Sequence, residues 1–265
     1  MAGHIEGVAG GDHPLLSMKD VTFGYRGKPP VLSRFNLTVN DGQFVALLGP
    51  SGGGKTTVMN LVAGFLTTKH GEVSFDGQRV SGPNTRVAYM TQGDTLLPWR
   101  TVANNVRLPL ELRHVDKRDI AQRVDAALKM VHLEDAADSY PAELSGGMKR
   151  RALLARSMIY DPKMLLMDEP FAALDAQLRE KMHKELLETM GAFGKSVLFI
   201  THDISESIIL ADRIVLLMGK PAAIAEDIQV PFGKDRDIAE IRHQREYVEI
   251  ERILRKALRH DEAAA

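Results

Sequence analysis

Residues 44–57 read Phe44-Val-Ala-Leu-Leu-Gly-Pro-Ser-Gly-Gly-Gly-Lys-Thr-Thr57. A short apolar run ends at Gly49, and a glycine-rich turn leads into Lys55 and Thr56, matching G-x-x-x-x-G-K-[ST]. Glycines let the main chain wrap closely around phosphates and aim N–H groups at them, where a Cβ would obstruct. Lys55 can reach β- and γ-phosphates, and the Thr56 hydroxyl can ligate Mg²⁺. A helix beginning near Lys55 would add its positive dipole end. With a strand before it and a helix after it, the stretch predicts a nucleotide site rather than a loose glycine turn.

Composition sets the bounds outside that stretch. The chain has 265 residues, 44% hydrophobic and 26% charged, which is ordinary for one or two globular domains. A net charge of −1 gives no general attraction for nucleic acid. There are no cysteines, so disulfides and thiolate metal sites are excluded, and a reducing compartment is expected. No apolar run approaches the ~20 residues of a membrane span, and Met1–Pro14 lacks the apolar core of a signal peptide. The expectation is a cytosolic chain whose membrane contacts come through a partner.

Residues 1–14 read as a tail. Leu16–Val39 reads as strands joined by a turn at Arg26–Pro30, and Asn40-Asp-Gly42 is a turn signal. Tyr25 lies at a strand end, where it either packs in the core or stacks on a nucleotide base. Residues 57–67 carry helical periodicity, with Gly64 a cost near the end. Arg86–Met90 reads as a strand, and Gln92 follows it into the apolar run Leu96-Leu-Pro-Trp-Arg100, which holds the only Trp. Val102–Leu112, Asp119–Val131 and Leu133–Asp138 read as helices of a mostly α segment.

Leu144-Ser-Gly-Gly-Met148 precedes a basic helix. Ser145, Gly146 and Gly147 form either a plain helix cap or a second anion site facing free N–H groups. Lys163–Pro170 is a buried-type strand ending in Asp168 and Glu169. A carboxylate at a strand end beside a phosphate turn is placed as an outer Mg²⁺ ligand, which suits Asp168. Glu169 is then placed to orient or deprotonate an attacking water. Asp175 caps a helix reaching about Met190, and Ser196–Ile200 is a strand leading to His202. That histidine is either a satisfied structural residue or a γ-phosphate contact. Ile204–Leu210 reads as a helix, Arg213–Met218 and Ile224–Val230 as strands, and Asp237–His260 as an amphipathic helix, broken in two, that docks as a tail.

The ordered set Tyr25, Gly49–Thr56, Gln92, Leu144–Met148, Leu165–Pro170, Ala173-Leu-Asp175 and His202 resembles the ATP-binding-cassette family over roughly residues 15–230. Leu96–Arg100 and Met167–Asp175 resemble the ATPase subunits of nitrate/sulfonate/taurine-type importers. The resemblance implies an α/β fold: a P-loop NTPase (RecA-like) core, an antiparallel β subdomain and an inserted helical subdomain at about 93–150. Residues 236–265 would be the tail.

It also implies roles. Tyr25 would stack on adenine. Gly49, Ser51, Gly52, Gly53, Gly54, Lys55, Thr56 and Thr57 would hold the phosphates of ATP. Gln92 would touch Mg²⁺ or the attacking water and sense a transmembrane partner, and Asp168 would assist Mg²⁺. Glu169 would be the catalytic carboxylate, and His202 would contact the γ-phosphate. Ser145, Gly146 and Gly147 would bind ATP held by the opposite subunit of a head-to-tail homodimer, and Asp175 would cross that interface. Met148 stands where the family commonly has Gln.

Two transmembrane permease subunits and, indirectly, a solute-binding protein are implied as partners, with the chain peripheral at the cytoplasmic face of the cell membrane and no nucleic acid. The competing readings are the cassette of a lipid or drug exporter and a non-transport cassette protein. The latter usually carries two cassettes or a long coiled coil. An unrelated P-loop kinase would need neither Ser145–Gly147 nor His202.

Overall fold

A computed structural model describes residues 13–233 and 236–262. The tail expected at 1–14 therefore lies, up to residue 12, outside the described residues, as do the last three residues of the chain.

The chain opens with β1 (Leu16–Phe23), β2 (Leu32–Val39) and β3 (Phe44–Leu48), and the phosphate turn feeds α1 (Lys55–Val62). Then come β4 (His70–Phe75), β5 (Gln78–Arg79) and β6 (Val87–Met90). A helical stretch follows: α2 (Val102–Val106), α3 (Leu108–Leu112), α4 (Lys117–Met130) and α5 (Gly146–Met158). The chain returns through β7 (Met164–Asp168), α6 (Ala176–Phe193), β8 (Ser196–Thr201), α7 (Ile204–Leu210), β9 (Arg213–Met218) and β10 (Ala223–Gln229). It ends in α8 (Ile238–Ile241) and α9 (Arg245–Glu262).

Two sheets carry these strands. One is antiparallel, in the order β2-β1-β4-β5. The other runs β10-β9-β3-β8-β7-β6, with β9 to β6 parallel and β10 antiparallel at the edge. The parallel strands are apolar on both faces because both faces are covered. Side chains alternate along each strand, so Val45 and Leu47 of β3 face the antiparallel sheet and α1. Ala46 and Leu48 face the opposite core, shared with α2, α5, α6, α7 and α9. A one-residue slip would exchange the two cores.

Three segments differ from their sequence readings, each for a local reason. The helix after the phosphate turn stops at Val62, because Gly64 sits at φ +72° and a Cβ there would lie 1.8 Å from the Gly82 carbonyl oxygen. Phe65 is thereby left exposed beside the Tyr89 ring. The span 102–112 breaks into α2 and α3 before Pro109, which has no N–H to continue the ladder. Leu133–Asp138 holds only a single 3-10 turn at Glu134–Ala136.

Candidate functional site

The carboxyl ends of β3, β6, β7 and β8 lie on one edge of the parallel sheet, where ligands of open α/β sheets bind. Each strand delivers part of the expected site: β3 the phosphate turn, β7 Asp168 and Glu169, β8 His202, and β6 the turn bearing Gln92.

The turn itself is held by backbone geometry. A Cβ on Gly49 would lie 2.4 Å from the Leu217 carbonyl oxygen of β9, so only glycine fits beside that strand. Gly54 precedes α1 at φ +82°, a conformation a side chain disfavours. Lys55 is buried, and its Nζ donates to the carbonyls of Gly49 (2.7 Å) and Pro50 (2.8 Å). Burial pushes the Lys55 pKa down, against the pull of Glu169 and Asp168. The Thr56 hydroxyl donates to Asp168 Oδ2 at 3.2 Å. Burial raises the Asp168 pKa, the Thr56 hydrogen bond lowers it, and Glu169 adds a further upward push.

Glu169 stands at φ +44°, rare for a residue with a Cβ, with its N–H donating to Ile200 of β8 at 3.0 Å. That turn brings Oε2 within 3.2 Å of His202 Nδ1. Glu169 is mostly covered while His202 is exposed. Tyr25, Val31, Ser51–Thr57 and Glu169 line one cavity of about 330 Å³. Tyr25 lies two residues beyond β1, edge-on to Phe23 and 3.4 Å from the Thr57 hydroxyl. A larger cavity of about 660 Å³ between α6 and residues 236–239 is lined by none of the expected site residues. The smaller one is the candidate site, because it carries the cradle, the ammonium and the carboxylate.

Ser145, Gly146 and Gly147 lie elsewhere, at the start of α5. Ser145 is the helix cap, its Oγ accepting from the Met148 N–H at 3.3 Å, and both Ser145 and Gly146 are exposed. None of the three lines the phosphate cavity. Met148 turns into the core. Asp175 caps α6 by accepting from the Leu178 N–H at 2.9 Å, as its position before an apolar run suggests.

Three residues escaped the sequence reading. Tyr89 on β6 donates to Asn60 Oδ1 at 3.2 Å, and burial, then the neighbouring Asp168, raise its pKa. Arg150 is buried and donates to the main-chain carbonyls of Thr91 and Gln92. Asn105, fully buried, accepts from the Leu97 N–H at 2.7 Å and donates to the carbonyls of Leu97, Arg100 and Thr101. A basic run in one helix and an Asn in another carry no local signal of such burial.

The ABC transporter family model matches residues 32–172. The chain belongs to that family. The taurine import ATP-binding protein TauB of Escherichia coli K12 is 40% identical over 220 residues, which cover 83% of this chain and 86% of TauB. The nitrate import ATP-binding protein NrtD of Synechocystis is 38% identical over 223 residues, 84% of each chain. The ATP-binding cassette MJ0796, solved as a dimer in a post-hydrolysis state with ADP and Pi, superposes with a TM-score of 0.70 at 28% identity. The match covers 82% of this chain and all of that one. The fold is that of an ABC ATPase, a P-loop NTPase. No helix among the described residues is long and apolar enough to cross a membrane.

Proposed function

We propose that this chain is the ATP-hydrolysing subunit of an importer for a small solute of the nitrate, sulfonate or taurine kind. The observation that carries the reading is the convergence of Thr56–Asp168 and Glu169–His202 on the edge of the cavity that the glycine-rich turn lines. The names of the relatives TauB and NrtD favour import over export.

The residues fit ATP and Mg²⁺. The turn offers main-chain N–H groups and one ammonium to the phosphates. Among the described residues no group of three or more His, Asp or Glu side chains can hold a metal alone. Thr56 and Asp168 would supply the protein's share of the shell, Gln92 would join them, and phosphate oxygens would complete it, which is how Mg²⁺ is commonly held. When bound, the ion neutralises charge on the β- and γ-phosphate oxygens.

The chain's own residues do the rest. Tyr25, at the mouth of the cavity, packs against the base. Lys55 exchanges its two carbonyl partners for phosphate oxygens. Glu169 takes the proton of the attacking water, and His202, its Nδ1 3.2 Å from Oε2, sits beside the carboxylate and faces the γ-phosphate. Ser145, Gly146 and Gly147 serve the ATP of a second copy in a head-to-tail homodimer, with Asp175 at the crossing. The cassette spans about 15–235 with its helical part at about 93–150, and 236–265 forms a docked tail. The dimer sits peripherally on the cytoplasmic face of the cell membrane, against two permease subunits served by a solute-binding protein. Membranes holding the whole transporter test this: ATP-dependent uptake that Glu169→Gln abolishes is expected. Uptake independent of this chain, or ATP-driven efflux, would overturn it.

A further inference from the structure

The Gln92 turn is fastened to α5 by a row of cations. β6 ends at Met90, and residues 91–95 continue without regular structure. Arg150 donates one guanidinium nitrogen to the Thr91 carbonyl at 3.4 Å and another, at short range, to that of Gln92. Lys149 Nζ lies 3.5 Å from Asp94 Oδ2. Arg156 donates to the Thr95 carbonyl at 2.8 Å and to its hydroxyl at 2.6 Å. Residues 149 and 156 lie two turns apart on one helix face, with 150 on the adjoining flank.

Arg150 is the informative member. It is 7% exposed. Among the described residues it forms no ion pair, and Asp94 acts on it only as a nearby charge. Burying a guanidinium without a bonded carboxylate is costly, and an apolar chain of similar volume would fill the space at less cost. What the guanidinium adds is a planar fork of fixed donors. Bonded to two successive carbonyls, that fork sets the orientation of both peptide planes, and with it the direction in which the exposed Gln92 side chain leaves the turn. Ser145 caps this same helix.

We propose that Arg150 is a positioning residue that locks the Gln92 turn to the helix carrying Ser145, so that the two move as one body. The inference rests on the two-copy reading above. Gln92 faces the ATP of its own chain, Ser145 faces the ATP of the other, and Arg150 lets the occupant of one site set the geometry of the second. Lys149 and Arg156 extend the lock along the turn.

The test is ATP hydrolysis by the full chain against ATP concentration, with nucleotide affinity measured separately by titration. Wild type is expected to respond sigmoidally. Arg150→Met should respond hyperbolically, with unchanged ATP affinity and kcat lower by about tenfold, the kind of loss that slight misplacement of a reacting group produces. Arg150→Lys keeps the charge but lacks the fork, and should resemble Arg150→Met. A purely structural role would instead lower the active fraction and the melting temperature while leaving the curve's shape intact. Arg156→Gln, at a partly exposed position, should shift the curve the same way to a smaller degree, and it decides the matter if Arg150→Met does not fold. Folded variants with the wild-type curve, or a hyperbolic wild type, would overturn the lock. A Glu169→Gln control separates the failures. If it forms an ATP-dependent dimer, a negative result sinks the lock alone. If it does not, the two-copy reading falls and the lock falls with it.

Discussion

The phosphate cavity and the start of α5 are both glycine-rich turns that open a helix, yet they are built differently. At the cavity, three strands bring a lysine, a hydroxyl, two carboxylates and a histidine to one edge, where Thr56 bonds Asp168 and His202 lies 3.2 Å from Glu169 across neighbouring strands. At α5, Ser145 bonds only within its own helix turn, and the exposed glycine beside it faces outward. The first is a site with its chemistry assembled. The second has a helix N-terminus and a cap, with no acid, base or lysine of the phosphate cavity beside it. The difference is what the proposed head-to-tail pair requires: a reaction centre on one side of a copy and half a binding site on the other.

The sharpest way to break the first half of that comparison is Glu169→Gln. It keeps the side-chain volume and removes the proton acceptor, so hydrolysis should fall by about 10²–10⁴ with ATP still bound. Size-exclusion chromatography with ATP should then show a stalled dimer. Lys55→Ala should instead lose nucleotide affinity itself. Near wild-type turnover in Glu169→Gln would show that another group takes the proton.

The second half is tested by mixing Ser145→Arg protein with Lys55→Ala protein. In a head-to-tail pair one site carries both lesions and the other neither, so activity absent from each variant should return in the mixture. Mixed dimers must first be shown, for example by pull-down with two tags. Confirmed mixed dimers without recovered hydrolysis would argue against a site shared between two copies, or would show that the two sites must act together.

These contrasts also show what was legible in the sequence. The phosphate turn, Asp168, Glu169 and His202 could be placed because each ends an apolar run, and strand ends in a parallel sheet meet at one edge. Asp175 could be placed because an Asp before a helical run has one common use. Helix ends were less legible. Gly64 stops α1 because of the Gly82 carbonyl, a contact eighteen residues away in sequence that no local pattern records. Arg150 and Asn105 were illegible for the same reason: their partners are main-chain carbonyls, which every residue has. The role proposed for Ser145 rests on the resemblance to the cassette family, since its own neighbourhood shows only a cap.

Asn105 allows a smaller but cleaner break. It is the internal post of the loop Leu96–Arg100, satisfying one N–H and three carbonyls from α2. Asn105→Ala should cost about 2–4 kcal/mol of stability, since each buried group left unpaired costs about 1–3 kcal/mol and part of this loop regains water. Urea denaturation measures it. A loss under about 1 kcal/mol would mean that the loop is held by its own turn, and that Asn105 is dispensable.

The smallest effect on folding, and the largest predicted split between hydrolysis and transport, belongs to Trp99. The run Leu96–Trp99 divides in the structure. Leu96 is core, Leu97 is half-buried with its N–H and carbonyl both on Asn105, and Trp99 is 71% exposed. A Trp buried as core is thereby excluded. Nearby, Arg100 bonds Glu111 at 2.8 Å, and Leu112 of the same helix is also 71% exposed. Exposed large apolar side chains on a braced loop mark a protein contact more than a packing role, and Trp is strongly enriched at interface hot spots. The loop begins four residues beyond Gln92, so a partner seated on it is joined by a short segment to the phosphate side. Trp99→Ala should therefore change stability by no more than about 0.5 kcal/mol and leave basal ATP hydrolysis intact, yet release the chain from its membrane partners and stop uptake. Leu97→Asp should stop uptake too, but it also threatens the Asn105 bonds, so Trp99→Ala is the cleaner probe. Membrane fractionation and uptake assays on the folded variant decide the matter. Retained membrane association with normal uptake would move the docking surface away from this loop, and would leave Asn105 bracing a loop that no partner reads.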